Sequence, residues 1–441
     1  MLQEEYFEFL RLQSVSSEPG YKAQVRACAE WVEEYLLEAG LNVELWETSG
    51  YPVVFASWLN AGPDKPTVLI YNHYDVQPVD PIELWHSDPF EPTLRDGEVF
   101  ARGAEDNKGQ CFYVISAIRE LLQRDGTLPV NVKLCIEGEE ETGSAGLAGI
   151  LAKRKDALAA DYLFIVDLGI HAPESPALTL GVRGIATMSI ELIGSNSDLH
   201  SGAHGGIVYN PNRAMVELLA KLHDEDGRIR VPGFYAEVVT PSADELAQLD
   251  FHFDEAEYET MFGAKAIGGE KGFSALQSAW IRPTLEINGI GGGYTGEGFK
   301  TVIPARTVAK LSVRLVPNQD PLKIIAAVEK FLRGNTPDGL ELKIEINPGV
   351  GKSVRSSPNS KAVVASAAVY SAVFNKPCQF ILSGGSIPIV PGLADAAEAE
   401  VVMMGYGLPD DNIHAPNEHF GLDRVRRGFA TMGAILELLG E

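Results

Sequence analysis

Apolar residues in the first 170 positions follow two periods, which predict strands alternating with helices. Apolar positions recur at helical spacing over residues 22–39 and again over 109–123. Short apolar runs at Thr67–Tyr71 and Tyr162–Val166, and alternation of apolar with polar residues over 130–136, are typical of strands. This order of elements favours an α/β sheet with helices packed against it.

The pattern over residues 182–352 predicts a second, smaller α+β domain. Its elements come in the order β-α-β-β-α-β, the ferredoxin-like split unit, which can fold by itself. The segment 232–280 shows no clear period, so we expect irregular structure or a short helix there. The predicted elements are a strand at 185–193, a helix at 211–222, strands at 284–288 and 308–316, a helix at 321–333 and a strand at 340–346.

After residue 353 the sequence again alternates between helix-like and strand-like spacing of apolar residues, as in the first 170 positions. It predicts a helix near 360–374, strands near 378–382 and 400–404, and a last helix at 422–439. The end of the chain therefore resembles its beginning in fold class, and we expect both ends to build the same domain.

Length and composition narrow the class of protein. A chain of 441 residues is too long for one ordinary core, so we expect one α/β domain, 1–181 and 353–441, interrupted by the smaller one, 182–352. The 36 basic and 61 acidic residues leave a net charge of −25, which argues against nucleic acid or an anionic membrane as a partner. Four cysteines without a C-x-x-C pair predict neither a zinc knuckle nor a disulfide framework.

The first residues contain no long apolar run. Acidic residues occur early, so the sequence predicts neither a signal peptide nor a transmembrane span. We therefore expect a cytoplasmic protein.

Polar residues directly follow several of the predicted strands, where open α/β sheets bind their ligands. His73 and Asp75 follow the strand at Thr67–Tyr71, and on an extended chain they lie on one face. The histidine could bind a metal through one nitrogen while the carboxylate fixes the other. A purely structural hydrogen bond at the strand end explains the same pair.

Acidic residues also occur before the helix at 109 and after the strand at 130–136. Asp106 could cap the helix, or its carboxylate could bridge two cations. Glu139, Glu140 and Glu141 are adjacent and repel one another, and either bound cations or protonation relieves that repulsion. A solvated acidic turn is the alternative.

Two further candidates follow the remaining strands. Asp167 ends the strand at Tyr162–Val166, either as a ligand or as a turn former. His414 and His419 come after the strand near 400–404, and the spacing does not choose between them. Together, histidine and carboxylate groups after successive strands supply nitrogen and oxygen ligands for two divalent ions, which suits zinc, manganese or cobalt sites used for hydrolysis.

In this order the motifs resemble those of metallopeptidase family 20, along almost the whole chain. The matching segments are H-x-D, G-A-E-D-N-K-G, E-G-E-E-E-T-G-S, a strand-terminal aspartate and I-H-A-P-N-E. The resemblance is closest to the cytosolic nonspecific dipeptidase and carnosinase-like branch. It implies a zinc-peptidase-like α/β catalytic domain interrupted by a ferredoxin-like lid and dimerisation domain.

The resemblance also implies a role for each residue of the acidic site. Asp106 would bridge two metals, His73 and Asp167 would bind one of them, and Glu141 and His414 the other. His414 is selected over His419 because it precedes the matching P-N-E. The general base and acid would be Glu140, the residue orienting His73 would be Asp75, and a cis peptide is expected at Asp106–Asn107.

Motifs of the inserted domain resemble the same branch. In S-D-L-H-S-G, His200 would enter the active site of a partner subunit and polarise the scissile carbonyl, which implies a homodimer. Arg314, Thr301 and Ser386 would hold the C-terminal carboxylate of the substrate, and the arginine fork suits that task. The glycines at 291–293 lack a following G-K-[ST], so they do not form a phosphate-binding loop.

These observations predict a hydrolase that cleaves dipeptides or short peptides with a free C-terminal carboxylate. It would use two divalent ions per chain, Zn²⁺ or Mn²⁺ with Co²⁺ also possible, and a metal-bridged water with Glu140 as base. An N-acyl amino acid deacylase or a glutamate-type carboxypeptidase is the alternative within the family. A catalytically inactive, peptide-binding homologue would have lost a ligand or the base, and all are present.

Overall fold

The computed structural model of the protein describes residues 2–170, 172–347 and 349–441. The strands are β1 Asn42–Trp46, β2 Val53–Trp58, β3 Thr67–His73, β4 Thr93–Arg95, β5 Glu98–Phe100, β6 Asn131–Glu137, β7 Tyr162–Gly169, β8 Ala177–Val182, β9 Gly184–Ile193, β10 Leu199–His200, β11 Thr284–Gly292, β12 Val302–Ile303, β13 Arg306–Leu315, β14 Glu341–Ile346, β15 Val354–Arg355, β16 Gln379–Ser383, β17 Glu400–Gly407 and β18 His419–Gly421.

The helices follow the predicted spacing, with several short ones added. They are α1 Leu2–Arg11, α2 Lys22–Glu38, α3 Lys108–Asp125, α4 Ala145–Leu158, α5 Ser201–His204, α6 Pro211–Leu219, α7 Ala243–Ala247, α8 Glu255–Phe262, α9 Ala275–Trp280, α10 Pro321–Asn335, α11 Lys361–Phe374, α12 Val390–Ala397 and α13 Leu422–Gly440. Within the described residues, no helix is both long and apolar enough to cross a membrane.

The chain forms two compact units. The first consists of the chain up to Gly181 with Arg355–Leu382 and Ile389–Glu441, and the second of Val182–Val354 with Ser383–Pro388. The short segment Ser383–Pro388 thus groups with the inserted unit, whereas the sequence assigned it to the α/β domain. Hydrogen bonds to Arg183 hold it there.

The first unit is built on a large mixed sheet with the strand order β1-β2-β6-β3-β7-β17-β8, and β16 pairs with β8. The neighbours β6, β3, β7 and β17 run parallel, whereas β1, β2 and β8 are antiparallel to their neighbours. All seven residues of β6 and six of the seven residues of β3 are buried, as expected of strands covered on both faces. The predicted α/β class is confirmed, and the carboxyl ends of four parallel strands share one edge.

The second unit confirms the predicted ferredoxin-like order. Its strands β11-β13-β9-β14 form an antiparallel sheet, and α6 and α10 are the two helices of the split unit. Buried and half-buried residues alternate along the whole of β9, because one face packs on the helices. The unpatterned segment 232–280 contains three short helices, α7, α8 and α9, joined by irregular chain.

Candidate metal centre

Four adjacent strands place the candidate ligands side by side at one sheet edge. His73 is the last residue of β3, and Asp167 lies near the end of the neighbouring β7. Glu140 and Glu141 form a single 3-10 turn just after β6, and His414 lies in the loop that follows β17. Because these strands run parallel in the order β6-β3-β7-β17, residues far apart in the sequence meet there.

The first ligand cluster consists of His73, Asp106 and Asp167. The Nε2 atom of His73 lies 3.0 Å from Oδ1 of Asp106 and 3.5 Å from Oδ1 of Asp167. Ligand atoms bound tetrahedrally at about 2 Å from one zinc ion are about 3.3 Å apart, so these spacings fit a shared cation.

The second cluster consists of Asp106, Glu141 and His414. The Nε2 atom of His414 lies 2.9 Å from Oδ2 of Asp106 and 3.2 Å from Oε2 of Glu141. Asp106 therefore directs one carboxylate oxygen to each cluster, which is the arrangement a bridging ligand needs. The φ angle of His414 is 59°, so the loop holds this residue in the left-handed region to aim its ring.

The loop before α3 places Asp106 by means other than a helix cap. The peptide bond between Asp106 and Asn107 is cis, as predicted. Asn107 occupies the N-cap position without a capping bond from its side chain. Its amide nitrogen instead donates to Oδ1 of Asp167 at 2.6 Å, and its amide oxygen accepts from Asn72 at 2.7 Å.

Asp75 lies beneath the Glu140–Thr142 turn. Its two carboxylate oxygens accept the backbone N–H groups of Glu140 at 3.2 Å and of Glu141 at 3.1 Å. The Nδ1 atom of His73 lies 3.1 Å from the carbonyl oxygen of Asp75 and 3.3 Å from its carboxylate. Asp75 therefore contacts the imidazole and also supports the turn that carries the two glutamates.

Glu418 supports the loop that carries Asp106. It is fully buried, and Oε1 accepts the backbone N–H groups of Glu105 and Asp106, each at 3.0 Å. Its other oxygen accepts the N–H of Gly103 at 2.9 Å and the guanidinium of Arg102 at 2.7 Å. One carboxylate thus fixes three backbone N–H groups of the loop that carries the bridging residue.

His419 belongs to a different cluster, with Glu98 and Asp411. Arg424 already pairs with both of those carboxylates, at 2.8 Å from Glu98 and 2.5 Å from Asp411. The ring of His419 stacks on Phe100 instead of joining the two ligand clusters. The geometry therefore favours His414 over His419, a choice that the spacing left open.

Burial and like charges perturb the proton affinities of the acidic groups. Burial raises the pKa of Glu141 to about 7 and that of Glu140 well above its ordinary range, and neighbouring carboxylates add to both shifts. Burial also raises the pKa of Asp167. Of these four carboxylates only Asp106 has a lowered pKa, because its interactions with the imidazoles of His414 and His73 outweigh its burial.

The two imidazoles show the complementary effect. Hydrogen bonds to Asp106 and Glu141 raise the pKa of His414 to about 11. Burial lowers the pKa of His73, but Asp167, Asp106 and Asp75 outweigh it and raise the pKa well above its ordinary value. Without cations, protons must neutralise the excess of carboxylates.

Two buried atoms of the clusters show that the donor set fits metal ions. Within the described residues, Nε2 of His73 and Oε1 of Glu141 have no hydrogen-bond partner. The carbonyl of Asp75 can only accept a hydrogen bond, so Nδ1 of His73 carries a proton, and Nε2, which faces the carboxylates, is the nitrogen that would bind a cation after giving up its own proton. Imidazole nitrogen and carboxylate oxygen are ligands for zinc, manganese or cobalt.

The second unit holds the residues predicted to bind the substrate, in two pairs. A guanidinium nitrogen of Arg314 donates to the hydroxyl of Ser386 at 2.8 Å. His200 pairs with Val302 between β10 and β12, directly beside Thr301, and both His200 and Thr301 are exposed. Among the described residues, no hydrogen bond joins one pair to the other.

Sequence reasoning missed the supporting residues of the centre. Glu418 ends the I-H-A-P-N-E motif, but its motif position served only to select His414. Arg102 lies just before the segment G-A-E-D, and Asn107 entered the predictions only through the expected cis peptide. Glu418 follows two asparagines in the segment D-N-I-H-A-P-N-E, which could have suggested that its carboxylate supports a loop. The loop itself could not be identified, because the backbone N–H that Glu418 accepts lies more than 300 residues away in the sequence.

Comparisons with known proteins agree with the geometry. The family model described as peptidase family M20/M25/M40 matches residues 69–438. The human "Beta-Ala-His dipeptidase" is 34% identical over 377 residues, which covers 83% of this chain and 73% of the human protein. A "Cys-Gly metallodipeptidase" of Schizosaccharomyces pombe is 31% identical over 439 residues, with 94% of this chain and 90% of the yeast protein covered.

A solved structure shows the same fold. The crystal structure of a family M20 metallo-carboxypeptidase from Sulfolobus solfataricus superimposes with a TM-score of 0.90 at 33% identity. The match covers 100% of this chain and 99% of the archaeal chain. The two-unit α/β architecture is therefore that of a known group of proteins.

Proposed function

The chain belongs to peptidase family M20/M25/M40, and from this membership we propose that it is a metal-dependent dipeptidase. Two relatives named as dipeptidases are 31–34% identical to it over most of its length. The observation that carries the proposal is the pair of ligand clusters sharing Asp106. Glu140 interacts electrostatically with ligands of both clusters, among them His73 and Glu141. We further propose that His73 and Asp167 bind one ion, and Glu141 and His414 the other.

Glu140 is the proposed general base and acid. Burial and the neighbouring Asp167 and Glu141 raise its pKa well above the ordinary range, as a group that must take up and release a proton requires. Its carboxylate has no hydrogen-bond donor among the described residues, so it is free to contact a water. Asp75 sets its position by holding the backbone N–H of Glu140.

Different residues of the chain perform different steps of the proposed reaction. Divalent ions held by the two clusters would supply Lewis acidity and a water with a pKa near neutrality. Glu140 accepts the proton of the attacking water and returns it to the leaving amine. The Nδ1 atom of His200 accepts a hydrogen bond from Gly202 at 3.0 Å, so Nε2 carries the proton and can donate to the developing oxyanion.

The substrate carboxylate is assigned to Arg314, Ser386 and Thr301. Arg314 is half-buried, and the described part of the chain places no carboxylate within 4.0 Å of its guanidinium. A desolvated, unpaired guanidinium suits a ligand that carries its own carboxylate. This requirement favours short substrates with a free C-terminus.

A homodimer with His200 acting in trans completes the proposal. Support comes from β11, an edge strand of its sheet, which exposes Ile287 and Ile290. Phe299 just beyond it is 91% exposed, which is unusual for a large apolar side chain. An open edge with exposed apolar residues is a surface that a second copy can cover.

The test of the proposal is the substitution Glu140→Gln, with Glu139→Gln as its matched neighbour. We expect Glu140→Gln to lower kcat for dipeptides by about a thousandfold with both metals retained, because the amide cannot accept a proton. Glu139 caps the start of α4 by accepting the N–H of Gly146, which glutamine can also do, so Glu139→Gln should stay within about twofold of the parent. Unchanged turnover in Glu140→Gln would show that Glu140 is not the base, and a metal-loaded parent without dipeptide turnover would show that the chain is not this hydrolase.

A carboxypeptidase acting on longer peptides is the second candidate, because the archaeal structure that superimposes at a TM-score of 0.90 is named as one. A panel of dipeptides, longer peptides and N-acetyl amino acids separates the candidates. Turnover restricted to longer peptides would support the carboxypeptidase, and turnover restricted to acylated substrates the deacylase. The choice among zinc, manganese and cobalt, and the cytoplasmic location, stay predictions.

A further inference from the structure

Arg183 joins β8 to β9 and contacts the loop that carries Ser386. Its backbone N–H donates to the carbonyl of Gly385 at 3.0 Å, and its Nε donates to the carbonyl of Gly384 at 3.0 Å. The hydroxyl of Ser386 donates to the carbonyl of Arg183 in return. Three hydrogen bonds between Arg183 and the loop therefore fix its consecutive residues Gly384, Gly385 and Ser386.

The same loop has little room to move. A Cβ atom added at Gly384 would lie 3.1 Å from the carbonyl oxygen of Ala279 and 3.2 Å from Nη2 of Arg183. The glycine thus allows the guanidinium to lie flat against the loop backbone. Ser386 accepts a hydrogen bond from Arg314 at 2.8 Å, so the position of its hydroxyl depends on Arg183 on one side and affects Arg314 on the other.

The two arginines also meet through the sheet. Thr284 on β11 is the direct partner of Arg314 on β13. The Nη1 atom of Arg183 donates to the hydroxyl of that same Thr284 at 3.2 Å. Arg183 therefore contacts both Ser386, the hydrogen-bond partner of Arg314, and Thr284, the partner of Arg314 across the sheet, and all four residues belong to the second unit.

The charges of this pair are not balanced by the protein. In the described residues neither Arg183 nor Arg314 forms an ion pair, although Glu286 exerts a weaker attraction on Arg183. Burial lowers the pKa of Arg183 to about 10, with the charge of Arg314 as the next cause, and burial lowers that of Arg314. Two adjacent, partly desolvated cations are unfavourable unless an anion joins them.

We propose that Arg183 is a positioning and specificity-determining residue of the substrate-carboxylate subsite: it holds Ser386 in place for Arg314 and adds a second positive charge. The inference rests on the proposed function, in which Arg314 and Ser386 bind that carboxylate. It predicts that Arg183 contributes to the preference for substrates that end in a free carboxylate, and much less to the chemistry at the scissile bond.

The experiment compares one dipeptide with its C-terminal amide, in the metal-loaded full chain. The variants are Arg183→Met, Arg183→Lys, Arg314→Met and, as a control, Arg306→Met on the same strand as Arg314. Arg306 is exposed and pairs only with Glu191 at the surface. Thermal unfolding of each variant shows whether the fold is kept.

We expect Arg183→Met to lower kcat/KM for the acid by about tenfold, mainly through KM, because one charge-assisted contribution is lost. The amide should change by about twofold or less, so the acid-to-amide ratio falls by about fivefold or more. Arg183→Lys keeps the charge with fewer donors, and its ratio should lie between those of the parent and Arg183→Met. Arg306→Met should keep the parental ratio.

The outcomes separate the two levels of the proposal. A parent enzyme with no preference for the acid would overturn the carboxylate subsite itself. In another outcome, Arg314→Met abolishes the preference for the acid, whereas Arg183→Lys and Arg183→Met keep it and slow both substrates equally. That result would support the subsite but show that Arg183 has only a structural role. If Arg183→Met does not fold, the ratio of the Arg183→Lys variant decides in the same way.

Discussion

The metal centre of the first unit and the arginine pair of the second unit carry opposite excess charge. In the centre, Asp106, Glu140, Glu141 and Asp167 surround two imidazoles, and buried nitrogen and oxygen atoms lack partners. In the second unit, two partly buried guanidiniums have no carboxylate of their own within the part of the chain that the structure describes. One region thus lacks cations, and the other lacks an anion.

A buried ion pair of the second unit shows, by comparison, how a charge is balanced within the protein itself. Glu270 accepts two nitrogens of Arg282, at 2.9 and 2.8 Å, and both side chains are about nine-tenths buried. Glu270 also pairs with Arg228 at 3.1 Å, so the buried guanidinium of Arg282 has a carboxylate of the protein itself and needs no ligand. Excess charge of one sign is different, because only a change of protonation or a ligand of the opposite sign can relieve it. The comparison therefore supports the proposals of divalent cations for the first region and of a substrate carboxylate for the second.

The largest expected effect comes from removing the carboxylate shared by both clusters. Asp106→Asn should lower kcat/KM by about a thousandfold or more, because both ions lose a charged ligand. Metal content per chain, measured on the purified variant, should fall in parallel. Asp64→Asn, at an exposed site, serves as the control. Full metal content with full activity in Asp106→Asn would break the assignment of the first region.

In the second region the corresponding change is Arg314→Met. Loss of a charge-assisted, two-donor contact should raise KM for dipeptides by about a hundredfold and affect their C-terminal amides far less. Metal content should stay at the parental level, which distinguishes this change from those in the centre. A KM that does not move would show that the unpaired guanidinium serves another ligand.

Glu418→Gln tests whether the support of the Asp106 loop affects the metal. Glutamine offers one acceptor oxygen to four N–H donors, so we expect metal affinity to fall by about thirtyfold, within the usual range for a residue that orients a ligand. Chelator competition measures the affinity. The control Glu270→Gln breaks a buried ion pair of the second unit and should lower stability without changing metal affinity. Equal metal affinities in the two variants would contradict the role of Glu418.

The smallest effect concerns pH. The pKa of Glu141 is about 7 and that of His414 about 11, so protons occupy the metal-free clusters at neutral pH. Metal must displace them, and affinity should therefore rise by up to about tenfold per pH unit and per displaced proton between pH 6 and 8. Calorimetry in buffers of different ionisation enthalpy should detect the released protons. An affinity that is flat with pH would show that the clusters bind metal without losing protons.

The sequence by itself determined the order of the elements and the order of the ligands. Helical and alternating periods located α2, α3 and α13, the parallel strands β3, β6, β7 and β17 and the four strands of the second sheet, because these periods reflect which face of each element is buried. They did not locate β1, β2 or β8. The motifs after β3, β6 and β7 contained His73, Glu140, Glu141 and Asp167. Such features are local, so they can be read without knowing which strands are neighbours.

The tertiary structure alone decided which of these groups meet. Parallel pairing of β6, β3, β7 and β17 brings His414 to Asp106 across 308 positions, and the fold places His419 in a separate cluster with Glu98 and Asp411. The same is true of Glu418 under the Asp106 loop and of Arg183 against Ser383–Pro388. Each of these contacts depends on strand order and register, which local periodicity does not contain, and unbalanced buried charge becomes visible only when the partners lie side by side.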